Sequence, residues 1–143
     1  MPVVRNPQYY FKEGFCWTNI LNPQARLLKA KLKHKSVNDV GSMSLSSIVN
    51  EVPNYFIVTL LNSELLFDYY REFINVTVNI QINDIRQLPI IIPNKNELLK
   101  CKILFDHLVQ LKKNASKTGE IIESEINESE IKINDIIEKL YQF

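Results

Sequence analysis

Glycine is scarce in this chain of 143 residues: Gly14, Gly41 and Gly119 stand far apart. A glycine-rich turn that lets backbone approach a phosphate or a nucleotide cofactor needs several glycines close together, so that class of site is excluded. Cysteine is nearly absent too. Cys16 and Cys101 form no C-x-x-C pair, and with His34 and His107 they lack the paired spacings that organise a zinc site. No apolar run reaches the roughly 20 residues of a membrane helix, and the opening MPVVRNP has no apolar stretch of a signal peptide. These absences predict a reduced, cytoplasmic protein with no membrane partner. Ser42, Ser44, Ser46 and Ser47 lack the G-x-S-x-G turn that activates a nucleophile. Glu130-Ile131-Lys132 matches half of a nuclease motif, but no Pro-Asp pair on a strand precedes it. No active site can be assembled from these parts.

Charge is present and unevenly placed. The net charge is +1, yet residues 1–46 carry seven basic side chains against two acidic, and residues 120–143 carry seven acidic against two basic. Such a split suits a chain whose front faces a polyanion and whose tail does not; two solvated faces are the plainer account.

The first half reads as strands and turns. "QYYF" and "FCW" are aromatic strand-like runs around a turn at Lys12-Glu13-Gly14, "NPQA" at 22–25 is a second turn, and Gly41 marks a third. "RLLKAKLKHK" at 26–35 alternates, which predicts a half-buried strand with Leu28, Ala30 and Leu32 on one face and Lys29, Lys31, Lys33 and Lys35 on the other. Lysines spaced about 6.7 Å apart along a strand form a ladder suited to a phosphate backbone; they also suit an edge strand protected against aggregation. After Pro53 an apolar stretch predicts two helices broken at Asn62-Ser63, with Ser63 capping the second over 64–73. "VTVNIQI" at 76–82 alternates and predicts another strand, and "LPIIIP" an edge or connector. From Asn94 the pattern is helical. Leu98, Cys101, Phe105, Leu108 and Leu111 form one stripe, "NASKTG" at 114–119 interrupts it, and Ile122, Ile126, Ile133, Ile136 or Ile137, and Leu140 form a second. Two such stripes predict an antiparallel helical hairpin.

The expected fold class is therefore α+β: a small mixed β region with packed helices over 1–93, followed by a C-terminal helical hairpin arm over 94–143.

Four segments, in order over residues 8–143, carry a family resemblance. "YYFKEGFCWTNI…ARLL", "LLNSELLFDYY", "VNIQINDIRQLPIIIP" and the ending "EIKINDIIEKLYQF" resemble successive blocks of the C-terminal target-recognition region of adenine-specific DNA methyltransferases. These enzymes belong to restriction-modification and related phage-defence systems, type IIG-like or BREX-like, and the region is similar to half of a type I specificity subunit. Gln142-Phe143 departs from the Gly-Leu usual at the end. Asn6-Pro7-Gln8-Tyr9 is close to the Asn-Pro-Pro-Tyr catalytic loop of such enzymes, with Gln8 in place of a proline. By the resemblance that loop belongs to a separate upstream domain, and the chain is expected to be a fragment or an isolated recognition domain.

The resemblance implies sequence-specific binding of double-stranded DNA on behalf of a methyltransferase catalytic domain or subunit. S-adenosylmethionine is expected only there, with no cofactor in this chain. Lys12, Lys29, Lys31 and Lys33 are the expected phosphate contacts. Asn19 and Arg26 are candidate base readers. Trp17 is either a further contact or a core residue. The alternative is a non-enzymatic assembly module, its hairpin forming a homo-oligomer and its lysine strand a protected edge without DNA binding.

Overall fold

The run after Gly14 folds as β1 (Gly14–Thr18), the central strand of a three-stranded sheet. β2 (Lys31–Lys33) and β3 (Ser42–Leu45) flank it, both antiparallel, with Phe15 opposite Leu32 on one side and Leu45 on the other. The structure is a computed structural model and describes residues 8, 11–36, 42–118 and 123–142; Gly41, expected at a turn, and the two tyrosines of "QYYF" lie outside the described residues. Successive side chains of a strand point to opposite faces. Phe15, Cys16 and Trp17 are all buried, so both faces of β1 are covered. Gly14 opens the strand instead of making the expected turn. It is needed because β3 passes so close that a Cβ there would strike the Leu45 carbonyl oxygen.

The alternating segment at 26–35 is a strand only over Lys31–Lys33. Lys29 sits at φ 53°, in left-handed backbone that breaks the extended run. Asn62 makes good the loss: its side-chain amide accepts from the Ala30 N–H and donates to the Ala30 carbonyl, both at 2.8 Å. This doubled bond takes the place of a strand partner. The turn at 22–25 forms as expected, with the Ala25 N–H on the Asn22 carbonyl at 2.8 Å.

Helices α1 (Asn54–Leu61) and α2 (Glu64–Tyr69) break where Asn62-Ser63 requires it. Ser63 is fully buried and its hydroxyl accepts the Leu66 N–H at 3.3 Å, capping α2. A π-helical turn, Tyr70–Ile74, follows. The expected strand at 76–82 does not form. Asn79 makes one isolated bridge to Ile20, and Ile82–Arg86 is instead a short helix, α3. The cause is a capping box: the Asp84 carboxylate accepts the Gln81 N–H at 2.9 Å while Gln81 caps in return. Asp84 also receives the Tyr70 hydroxyl at 3.3 Å and the Asn75 amide at 2.9 Å, tying both to the start of α3. Val76 and Val78, meant for a strand's apolar face, are exposed.

"LPIIIP" is a connector without regular structure. α4 (Lys95–Thr118) runs through the expected break at Asn114, and α5 (Glu123–Leu140) packs against it. The Tyr141 hydroxyl donates to the Pro89 carbonyl at 2.6 Å, and Lys112 meets Glu130 at 3.4 Å. The far end of α5 therefore lies beside the approach to α4. α4 also packs on α1, and α5 on α2. One hydrophobic cluster joins Phe15, Trp17, Phe56, Leu60 and Tyr70 to Cys101, Ile133 and Ile137, so the core is continuous across position 93. The fold is α+β, with an antiparallel sheet instead of a mixed one. Among the described residues, no helix is long and apolar enough to cross a membrane.

Candidate nucleic-acid interface

Packing α4 and α1 beside the edge strand β2 leaves a groove of about 1130 Å³. Leu32, Val58, Phe105, Leu108 and Ile133 contribute its apolar part. Its ionisable lining is Lys29, Lys31, Lys33 and His34 on the β side and Lys102, Lys112 and Lys113 on α4, against Glu13, Asp106 and Glu130. Six lysines face three carboxylates, so the groove is basic, while the chain as a whole is nearly neutral.

The lysines are not equivalent. Lys102 pairs with Asp106 at 2.9 Å, one helical turn on, and its ammonium stands 5.0 Å from the centre of the Tyr55 ring. Burial raises the Tyr55 hydroxyl above its ordinary value, opposed by Lys102, so it stays a neutral donor. Lys112 pairs with Glu130. Lys33 is buried, and its ammonium donates to the carbonyls of Lys12 at 2.7 Å and Ser36 at 2.6 Å. Lys29, Lys31 and Lys113 have no carboxylate partner among the described residues. They are the cations the groove offers to an anion.

The expected ladder of evenly spaced lysines is thus not formed. Lys29 and Lys31 are exposed in the groove, but Lys33, expected on the same face, is turned inward and held by two carbonyls. Lys12 is exposed and adjoins the groove through Glu13, its carbonyl taken by Lys33. Trp17 is core, 1% exposed, with its indole N–H donating to the Ile80 carbonyl at 3.3 Å; no face of the ring is left for a base. Asn19 is half-buried beyond the other end of β1, about 17 Å along the strand from Gly14 on the groove, at roughly 3.4 Å per residue. Arg26 is exposed, one residue before Leu27 on the lining. The fold brings the β2 lysines together and leaves Asn19 apart.

Lys102, Lys112 and Lys113 were not foreseen at this surface. A signal for Lys112 was present: Cys101, Phe105, Leu108 and Lys112 follow the 4, 3, 4 spacing of one helix face. A lysine ending an apolar stripe stands at the edge of the packed face, where Lys112, still exposed, borders the groove.

The thiols do not supply a nucleophile. Cys16 and Cys101 are buried, and burial, with Glu97 nearby, pushes the Cys101 thiol up to about 11. Outside the groove, the exposed side of α5 carries Glu123, Glu125, Glu128, Asp135 and Glu138. Glu128 accepts from Lys132 at 2.7 Å, which holds its carboxyl below the usual range. Of the described acidic residues of the tail, only Glu130 lines the groove. Compared with known protein families and with curated proteins, the chain has no match.

Proposed function

We propose that this chain is a target-recognition region that binds double-stranded DNA for an adenine-specific methyltransferase of a restriction-modification system. The observation that carries the reading is the groove in which Lys29, Lys31 and Lys113 face solvent without a carboxylate partner among the described residues. A phosphate backbone needs fixed cations free to exchange their counterions, and these three supply them. Arg26, exposed and one residue before Leu27 on the lining, is the candidate to read a base edge beside the phosphate contacts. Methyl transfer from S-adenosylmethionine belongs, on this reading, to a partner domain or subunit that acts on a base flipped from the duplex. The chain works in the cytoplasm, beside the DNA. Its four resembling segments support the enzyme class, and the basic groove supports the choice of surface.

The test is salt dependence. Replacing Lys29, Lys31 and Lys113 together by alanine should flatten the slope of log affinity against log salt by about 2.7, at roughly 0.9 for each phosphate contact. Arg26→Ala should weaken binding by about 1–3 kcal/mol, mainly on the cognate site. Anisotropy titrations of labelled duplexes at several salt concentrations read both. A triple variant with the wild-type slope rejects the groove as the phosphate-binding surface.

A second reading rests on Leu99 and Ile103, one turn apart on α4, and Ile131 on α5, all about 60% exposed. In that reading these helices bury their outer residues against another chain and the lysine strand is only an edge. Concentration-dependent dimerisation without DNA binding, seen by sedimentation, would select it.

A further inference from the structure

We infer that Phe11 is a base-stacking residue, presenting its ring to an unstacked nucleobase of DNA held in the basic groove; this rests on the DNA-binding reading above. Phe11 is 63% exposed and has φ 58°. A single exposed aromatic residue is ordinary. A bulky residue held in left-handed backbone is not, since that conformation disfavours any side chain with a Cβ and glycine would occupy it freely. Strain of this kind persists where neighbouring contacts impose it, and it gathers at ligand-binding points.

The imposing contacts are here. The Phe11 N–H donates to the Ser36 carbonyl at 3.3 Å. The Lys33 ammonium donates to that same carbonyl at 2.6 Å and to the carbonyl of Lys12 at 2.7 Å. Lys33 is the one cation of β2 withdrawn from solvent, and its charge clamps the segment that carries Phe11 against Ser36. The clamp holds a large apolar ring in water, which does nothing for the core of the isolated chain. Glu13, Gly14, Lys33 and His34, all within a few residues of either side of the clamp, line the groove. Phe11 is not itself on the lining but stands two residues before Glu13, so its ring near one end of the groove and the cations farther along it are the two parts of a stacking site for a splayed base.

The experiment uses the full chain and two labelled duplexes of random sequence, one fully paired and one with a central mismatch whose bases unstack easily. Phe11→Gly relieves the strain, so its melting temperature should equal or exceed that of the wild type. Its affinity for the mismatched duplex should nevertheless fall roughly 5- to 150-fold, the range for loss of one base–aromatic stack, with the salt slope unchanged. Phe11→Trp should keep the affinity. Phe11→Asn, which also tolerates left-handed backbone, serves as the loss-of-ring variant if the glycine variant folds poorly. A folded loss-of-ring variant that binds the mismatched duplex within twofold of wild type overturns the stacking role and leaves the groove standing. A Lys29/Lys31/Lys113 alanine variant with the wild-type salt slope, or a wild type that binds neither duplex, overturns the groove and this inference with it.

Discussion

The two walls of the groove hold their lysines by different means. Of the three α4 lysines on the lining, Lys102 and Lys112 each meet a carboxylate, Asp106 and Glu130, and Lys113 has none among the described residues. On the β side neither Lys29 nor Lys31 meets a carboxylate among the described residues and both stand exposed, while Lys33 is satisfied by backbone carbonyls. An exposed ion pair gains little free energy and gives up part of its field. A lysine bound by carbonyls keeps its full charge but loses access. The β wall therefore offers two exposed cations on a backbone held by a third, whereas the helical wall offers one cation and two that an incoming anion must first separate from their partners.

The largest effect should come from removing what the β wall rests on. Trp17 is enclosed in β1, next to β2, and hydrogen-bonded to the loop at Ile80. Trp17→Ala should cost about 3–5 kcal/mol of stability, read by urea unfolding, because a large cavity would open at the centre of the sheet. DNA binding should fall with it, through loss of the wall and not of a contact. A cost under about 1 kcal/mol would mean that the ring is not packed as described and would reopen its role as a DNA contact.

A smaller effect separates two lysines on one strand. Lys33→Met keeps the aliphatic stem and removes two charged hydrogen bonds, leaving the carbonyls of Lys12 and Ser36 without this donor. The expected cost is about 1–3 kcal/mol, since the variant also avoids burying a charge. Lys31→Met, on the exposed side, should stay within about 0.5 kcal/mol. Equal values for the two would show that burial of Lys33 contributes nothing, and the distinction within the β wall would disappear.

Local rules carried the sequence reading as far as they reach. The break at Asn62-Ser63 was legible because a serine before an acidic residue and an apolar run is a self-sufficient cap. The stripes of α4 and α5 were legible from spacing, and Ile133, Ile137, Cys101 and Leu111 are buried accordingly. At 76–82 two local signals competed. Alternation favoured a strand, but Gln81 and Asp84 three residues apart form a capping box, and a box that satisfies backbone at both ends prevailed over a pattern needing a distant partner. Lys33 could not be read at all. Its acceptors lie at positions 12 and 36, and only the folded chain brings them to one ammonium. The same holds for the α4 wall, whose lysines become part of a site only when α4 packs on α1 beside β2. Alternation put four lysines on one strand where only Lys31 and Lys33 share β2, and it had no means of telling which would be taken by the protein itself.

The smallest effect tests the other wall. The Lys112–Glu130 pair spans 3.4 Å with both side chains substantially exposed, so its loss should change stability by no more than about 0.5 kcal/mol. Glu130→Gln keeps the shape, removes the anion and releases Lys112 into the groove. If the helical wall differs from the β wall only because its cations are already paired, the variant should gain affinity for random duplex DNA. Its salt slope should steepen by up to about 0.9, one additional phosphate contact. Lys112→Met combined with Glu130→Gln should return the slope to the wild-type value, because the added contact is that lysine. A gain in affinity at every salt concentration with no change in slope would mean that Glu130 acts by repelling DNA and not by holding Lys112. The two walls would then differ in the anions beside their lysines, and the pairing itself would be incidental.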